Sequence, residues 1–426
     1  MSNQIINFGC RLNINEGEII RHNLDNAKIN NAIVINTCAV TSEAERQARQ
    51  TIRKTIRENP DKKIIVTGCS AQIKPQQYLE MEGVDKVLGN VEKLKPQSFL
   101  NIEDSEKALV NDIMSVQETA EHLLELPALK TLEGKSRAFI QVQNGCDHRC
   151  TFCIIPYGRG NSRSVPVGDV ANQVTKLVAQ GYKEVVFTGV DITSYGEDLP
   201  AKPKLGQMIK RVLSHVPDLK RVRLGSIDPV EVDEDIFDLI ENEPRFMPHL
   251  HISLQAGDDM ILKRMKRRHL RKDVVDFVQK CRRLNNKIAF GADIIAGFPT
   301  ETDEMFENTR KLISEIGLVY LHIFAYSERE GTPATKMPKV DVPIRKARAK
   351  ILREEGQKEL DKFLKNCVGQ TFEVLLEENK KGQLQGKTEN FAPVKINNTD
   401  IAEKNLQKGD LITVTVKNYE DGFLNN

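Results

Sequence analysis

The sequence predicts an α/β protein in three parts: an N-terminal open α/β domain, a central partial (β/α)6 barrel and a small C-terminal β-barrel. Three observations carry this. Apolar runs and amphipathic stretches alternate through the first hundred residues. From about Ser136, six strand-like runs are separated by helical ones. After Val368 the pattern switches to the two-residue alternation of antiparallel strands. A chain of 426 residues is long enough for two or three domains with their own cores.

Composition narrows the class. The hydrophobic fraction of 39% and charged fraction of 29% are ordinary for a soluble globular protein. With no Trp and 5% aromatics, stacking on nucleic-acid bases would fall to few residues. A net charge of +2 says little about partners. No apolar run is long enough to span a bilayer, and the opening MSNQIINFGC does not read as a signal peptide, so a cytoplasmic protein with no membrane partner is expected. Six of the eight cysteines stand in glycine-flanked or cluster-like contexts, which points to metal chemistry in a reducing compartment. Cys281 and Cys367 lie in helical-looking stretches and read as plain thiols.

The first domain, residues 1–100, has buried-strand runs at Ala32–Ile35 and Ile64–Val66 and helical stretches at Ser42–Glu58 and Pro75–Met81. VINTCAVT runs into Cys38, IIVTGCSAQ into Cys69, and INFGCRLN gives Cys10 the same placing. Ligands gather at the carboxyl ends of strands in an open α/β sheet, so three cysteines distant in sequence can converge there as a three-thiolate site. Gly9 and Gly68 would let backbone approach a cluster closely. Any one of these cysteines alone would read as a small buried hydrophobe; it is the shared placing that favours a site. Residues 101–132 read as an acidic linker with one or two short helices. Seven acidic residues and one lysine fall within 101–127.

The barrel, residues 133–342, has strand-like runs at Ala138–Val142, Glu184–Val190, Arg221–Ile227, His249–Leu254, Ile288–Ala296 and Val319–Ala325. Helical segments lie between them at Gly168–Gln180, Leu205–Val216, Asp233–Asn242, Arg271–Leu284 and Glu301–Ile316. The loop after the first strand carries NGCDHRCTFC, with Cys146, Cys150 and Cys153 in a C-x₃-C-x₂-C spacing. Thiolates this close can point into one small volume, as an iron–sulfur cluster needs. Three ligands leave one iron open for a substrate or cofactor. Phe152 would shield the cluster edge. A zinc site with His148 as a further ligand is the competing reading.

This spacing resembles the signature of the radical S-adenosylmethionine enzymes. The resemblance implies a partial (β/α)6 barrel and a [4Fe–4S] cluster whose open iron chelates the cofactor. One electron then splits the sulfonium to give a 5′-deoxyadenosyl radical. Later strand ends carry small or polar residues facing the same side. Gly189 and Gly297 would admit the cofactor, and Asp191, Ser226, Ser253 and Gln255 could hold its amino and ribose groups. The stretch Lys263–Lys272, KRMKRRHLRK, has seven basic residues and no acidic one, and suits a phosphate backbone. The helical connector, residues 343–367, extends the basic character with Arg345, Lys346, Arg348, Lys350 and Arg353. In the tail, residues 368–426, QTFEVLLEE, GQLQGKTE, APVKIN and LITVTVKNY alternate like strands, with turns at Lys380–Gly382 and Lys408–Asp410. Small barrels of this kind often bind RNA.

Taken together, the order of three dispersed cysteines, a C-x₃-C-x₂-C loop and a small β-barrel resembles the methylthiotransferase family of radical S-adenosylmethionine enzymes over nearly the whole chain. The phrases FGCRLN, NTCAVT, TGCSAQ, YGRGNSRS, HLHISLQAGDD and HIFAYSEREGT carry the likeness. The resemblance implies two [4Fe–4S] clusters. Cys146, Cys150 and Cys153 would hold the one that cleaves S-adenosylmethionine, and Cys10, Cys38 and Cys69 an auxiliary cluster that carries the donated sulfur. It also implies that the tail is an RNA-binding TRAM domain, that the partner is a tRNA anticodon stem-loop and not DNA, and that electrons come from a low-potential donor such as flavodoxin or ferredoxin. FGCRLN, HISLQAGDD and LKRMKRRH look most like the branch acting on N6-threonylcarbamoyladenosine. The alternatives are the branch acting on N6-isopentenyladenosine, the branch modifying an aspartate of a ribosomal protein, and, from another class, a non-catalytic iron–sulfur RNA-binding protein. No side chain stands out as a general acid or base.

Overall fold

A computed structural model describes residues 3–100, 106–116, 136–378 and 384–426. Its first sheet is parallel throughout and runs in chain order: β1 (Gln4–Asn7), β2 (Ala32–Thr37), β3 (Lys63–Gly68), β4 (Lys86–Leu88) and β5 (Ala108–Leu109). Helices α1 (Arg11–Asn26), α2 (Ser42–Glu58), α3 (Cys69–Ile73) and α4 (Pro75–Leu79) connect these strands. The central strand β2 is buried at all six positions, which is why it reads as an unbroken apolar run. Part of the stretch expected as a linker behaves differently: Ala108 and Leu109 add the fifth strand, because a parallel edge beside β4 offers them partners. A 3₁₀ turn at Ile113–Ser115 follows. The rest of that stretch, 101–105 and 117–132, lies outside the described residues, as does the expected turn at Lys380–Gly382.

Six parallel strands make the partial barrel: β6 (Arg137–Gln141), β9 (Glu184–Thr188), β10 (Arg221–Leu224) continuing as β11 (Ser226–Ile227), β12 (His249–Gln255), β13 (Ala289–Ala296) and β14 (Leu318–Ala325). A small antiparallel pair, β7 (Gln143–Asn144) with β8 (Arg163–Ser164), ties the stem of the cysteine loop, which also carries α5 (Ile155–Arg159). Helices α6 (Val167–Ala179), α7 (Leu205–His215), α8 (Glu234–Asn242), α9 (Asp259–Arg264), α10 (Arg271–Leu284) and α11 (Asp303–Glu315) connect the strands. The 25-residue α12 (Val342–Asn366) packs back on β13 and β14.

In the tail, β15 (Thr371–Glu378), β16 (Leu384–Lys387), β17 (Pro393–Lys395), β18 (Leu411–Thr415), β19 (Asn418–Glu420) and β20 (Phe423–Asn425) form one sheet in the order 18-15-16-17-20-19. Its two ends, β18 and β19, are separated only by Val416 and Lys417, so a single bent stretch closes the sheet into the expected small barrel. An unexpected helix, α13 (Asn398–Lys404), interrupts the strands. It is supported by an Asp400–Lys404 ion pair at four-residue spacing, and Ile401 packs on the tail's core.

The tail docks on the amino-terminal ends of the barrel strands. Arg221 donates to the Glu373 carbonyl at 2.6 Å, and Arg223 to the carbonyls of Thr388 and Glu389 at 2.8 and 2.7 Å. Phe391 stacks on His249 with ring centroids 4.7 Å apart. Glu184, buried below this joint, is paired with Arg137, Arg221 and Arg223. Burial would raise its carboxyl; the guanidiniums of Arg223, Arg137 and Arg221 outweigh burial and hold it down at about 2. A depressed carboxylate stabilises the fold above its ordinary value of 4.5 and loses that contribution as pH falls from there towards about 2. The contribution is about 3 kcal/mol. We expect the stability gap between the natural chain and Glu184→Gln, measured by denaturant unfolding, to shrink as pH falls from about 5 to about 3. A gap constant across that range would show that Glu184 is not held ionised.

Candidate active site

The dispersed cysteines sit where the strand pattern placed them. Cys10 follows β1 and precedes α1, Cys38 follows β2, and Cys69 follows β3 as the first residue of α3. Because β1, β2 and β3 are neighbours, the three thiols lie at the carboxyl ends of adjacent strands. Cys38 and Cys69 are buried and Cys10 is exposed. Burial pushes the Cys38 thiol up to about 11, and the nearby Cys69 and Cys10 add to this. Both flanking glycines are needed for close approach. A Cβ on Gly9, at φ +87°, would stand 2.6 Å from Cys38 Sγ, and one on Gly68, at φ +98°, 2.3 Å from the Thr37 carbonyl oxygen.

Cys146, Cys150 and Cys153 share the loop after β6. Burial pushes Cys153 up to about 12, with Cys150 adding to it, and Cys146 rises further through burial, the adjacent Asp191 and the other two thiols. Gln143 locks the loop. Its Oε1 accepts from the backbone N–H groups of Val190 and Asp191 at 3.0 and 2.8 Å, while its Nε2 donates to the Gly145 carbonyl at 2.8 Å. One side chain thus couples the first two strand ends.

A cavity of about 230 Å³ opens where the barrel meets the first domain, and Cys153 is the cysteine that lines it. Cys153 and Phe152 line it from the barrel loop, Val40 and Thr41 from just beyond Cys38, and Gln255, Asp293, Ile295, Phe324 and Tyr326 from the barrel strands. Ile154 packs on Ala39 and Cys69, closing the gap between the triads. Ser42 bonds Ser327 at 3.0 Å, and Glu45 pairs with Arg329, so the first domain is fastened to the loop after β14.

The donor set suits iron–sulfur ligation. Arg159 Nε donates to Cys69 Sγ at 3.1 Å, Asn90 Nδ2 to the same sulfur at 3.6 Å, and Arg267 Nη1 to Cys150 Sγ at 3.6 Å. Positive and polar N–H groups aimed at sulfur favour the thiolate and tune a cluster's potential. Arg159 is wholly buried and also holds Glu16 and Asn13, while Lys93 pairs with Glu16 at 2.7 Å. His148 lies 3.2 Å from Glu231 and 3.4 Å from Asp191. Cys146, His148 and Asp191 offer ligand atoms within 4.8 Å of one another, the grouping a mononuclear ion would use.

The strand-end residues divide. Phe152 and Gln255 line the cavity. Asp191 stands 3.7 Å from Cys146 Sγ, and Gly189 abuts Gln143. The Ser253 carbonyl accepts from Arg267 at 2.9 Å. Ser226 is exposed, and Gly297 instead makes room for α12, since a Cβ there would stand 2.6 Å from Arg345 Cγ.

Most of the basic run 263–272 is engaged within the protein, and Lys263 and Lys266 are exposed. Arg267 turns inward to Cys150 and Asp228, His269 is buried, Arg264 donates to Thr300, and Arg268, Arg271 and Lys272 pair with Glu231, Glu315 and Asp276. The carboxylates that neutralise it come largely from other elements, which a local charge count does not see. Arg345 and Arg348 of the connector are likewise buried against Glu328 and Glu301.

Sequence reasoning missed Asp293, whose carboxylate accepts from His251 and His322 at 3.1 and 3.0 Å on the cavity wall. Burial would raise this carboxyl, and the two imidazoles more than offset it, holding it well below the usual range. The Arg159–Glu16–Lys93 network was missed too. Its signal was present: Glu16 falls in the apolar stripe of α1, between Leu12 and Ile19, where a solvated carboxylate does not belong.

The barrel region, residues 140–313, matches the family model described as the radical SAM superfamily, and residues 3–89 match one described as uncharacterized protein family UPF0004. The chain is 57% identical to the threonylcarbamoyladenosine tRNA methylthiotransferase MtaB of Rickettsia prowazekii (strain Madrid E), over 99% of this chain and 96% of that protein. It is 31% identical to the Bacillus subtilis (strain 168) protein of the same name, over 92% and 90%. It is also 31% identical to a tRNA-2-methylthio-N(6)-dimethylallyladenosine synthase of Rickettsia conorii (strain ATCC VR-613 / Malish 7), over 96% and 97%. Among solved structures, the radical S-adenosylmethionine methyltransferase TsrM of Kitasatospora setae matches with a TM-score of 0.57 at 14% identity, covering 78% of this chain and 77% of its own, a likeness of fold.

Proposed function

This chain belongs to the radical S-adenosylmethionine tRNA methylthiotransferases, and from that premise we propose that it places a methylthio group on C2 of N6-threonylcarbamoyladenosine beside the tRNA anticodon. Cys146, Cys150 and Cys153 hold the cluster that binds S-adenosylmethionine; Cys10, Cys38 and Cys69 hold the auxiliary cluster. The observation that supports this reading most is the joint between the triads: Cys153 lines one cavity with Val40 and Thr41, just beyond Cys38, and Ile154 of the cysteine loop packs with Ala39 and Cys69. An electron carrier or sensor has no need to pack two three-thiolate loops against each other; sulfur insertion does.

When bound, these groups supply a carbon radical able to take hydrogen from C2 and the sulfur that replaces it. The C2–H of adenine is neither acidic nor hydride-like, so no side-chain base would remove it at neutral pH. The protein's work is therefore positioning and exclusion of water. Arg159, Asn90 and Arg267 hold cysteine sulfurs through N–H donors. Gln255, which lines the cavity with Cys153, and Asp191, beside Cys146, would hold the cofactor's polar groups. Phe152 and the partly exposed Phe324 offer ring faces to a base entering the cavity. The setting is the cytoplasm, where a low-potential carrier such as flavodoxin or ferredoxin provides electrons; no helix among the described residues is long and apolar enough to cross a membrane.

Identity of 57% to a threonylcarbamoyladenosine enzyme against 31% to a dimethylallyladenosine one favours the first substrate. Mass spectrometry of tRNA nucleosides from a deletion strain tests this. We expect 2-methylthio-N6-threonylcarbamoyladenosine to vanish and its unthiolated precursor to accumulate. An unchanged level of the methylthio nucleoside removes the assignment.

A further inference from the structure

We infer that α2 carries a backbone-docking face for the anticodon stem, formed by Arg49, Arg53 and Arg57. This rests on the tRNA substrate proposed above and adds the surface that would hold it. The three arginines recur every four residues, so they form one stripe along the helix, with successive side chains about 6 Å apart. None of them has an ion pair or hydrogen bond among the described residues. Their neighbours differ: Arg46 is held by Glu43, and Lys54 lies near Glu58. Arg53 and Arg57 are exposed and Arg49 is half-buried. In the run 263–272, by contrast, Arg267, Arg268, Arg271 and Lys272 are paired with carboxylates from outside the run.

The stripe starts at the right place. Thr41 caps α2, accepting from the Ala44 N–H at 3.1 Å, and itself lines the cavity. Ser42 is bonded to Ser327, another cavity residue. From Thr41 the three arginines lie about 12, 18 and 24 Å along the helix axis. The helix that carries the stripe therefore begins at the cavity rim, within reach of the strand that flanks a nucleotide seated there. Arginine is suited to that strand, since its planar fork meets phosphate oxygens in pairs.

The test is a salt titration of binding between the full-length, cluster-loaded protein and a synthetic anticodon stem-loop carrying N6-threonylcarbamoyladenosine. Each lost phosphate contact lowers the log–log salt slope by about 0.7 on single strands and about 0.9 on duplex. We expect Arg49→Gln/Arg53→Gln/Arg57→Gln to lower the slope by about 2 and to weaken binding at least tenfold at low salt, with a fall in kcat/KM and kcat retained at saturating RNA. S-adenosylmethionine cleavage without RNA should stay unchanged, which also reports an intact fold. If it does not, the single exposed variant Arg53→Gln should still lower the slope by about 0.7. Lys272→Gln, whose lysine is already paired, should leave the slope alone. A natural slope in the triple variant, or in Arg53→Gln where the triple misfolds, overturns the docking face alone. No binding of this RNA by the natural chain overturns the substrate assignment and the docking face with it.

Discussion

Replacing Cys150 by alanine should abolish 5′-deoxyadenosine formation from S-adenosylmethionine in the reduced protein, whereas replacing Cys38 by alanine should leave that cleavage and abolish methylthiolation. The two variants separate because the triads are carried by different elements, one on the loop after β6 and the other on the ends of β1 to β3. Each loss should exceed about a hundredfold, the scale at which removing a group that merely touches a ligand already acts. Each variant should also retain about half of the reconstituted iron. Cleavage lost equally in both variants would mean that the two cages are not independent, and methylthio product from Cys38→Ala would dismiss the auxiliary site.

Glu16→Gln should destabilise the fold by about 3–5 kcal/mol, the usual consequence of removing one partner from a buried ion pair. Glu16, Arg159 and Lys93 are all buried, and the carboxylate lies between the two cations. Burial would push the Glu16 carboxyl up, and Arg159 and Lys93 outweigh that and keep it ionised. Without its charge, two buried cations face each other with no counter-ion. The network crosses a boundary, since Arg159 comes from the cysteine loop while Glu16 and Lys93 belong to the first domain. The loss should therefore loosen the two triads relative to each other. The double variant Glu16→Gln/Lys93→Met should recover part of the stability, because Arg159 keeps Asn13 and the Cys69 sulfur. Denaturant unfolding reads both effects. A Glu16→Gln chain as stable as the natural one would contradict the idea that this carboxylate neutralises the joint.

Much of this was legible in the chain itself. α2 and α10 occupy the spans their periodicity indicates, and the six barrel strands agree with expectation to within a few residues. The spacing of Cys146, Cys150 and Cys153 is local, so sequence alone puts those thiols together. Cys10, Cys38 and Cys69 could also be grouped, because each follows a strand signal and parallel strands end on one side. These properties depend on neighbours within a few residues or on the period of one element, and both are written in the order of amino acids.

Tertiary structure decided the rest. Only the fold reveals that four charges of KRMKRRHLRK are taken up by Glu231, Glu315, Asp228 and Asp276, while Arg49, Arg53 and Arg57 of α2 have no ion pair among the described residues. It also places Asp293 between two histidines from other strands and seats Arg159 on a sulfur ninety residues away. Whether a charge serves as surface, as scaffold or as a ligand's partner depends on which oppositely charged groups lie within a few ångströms. That distance is set by how the chain folds back on itself, not by separation along it.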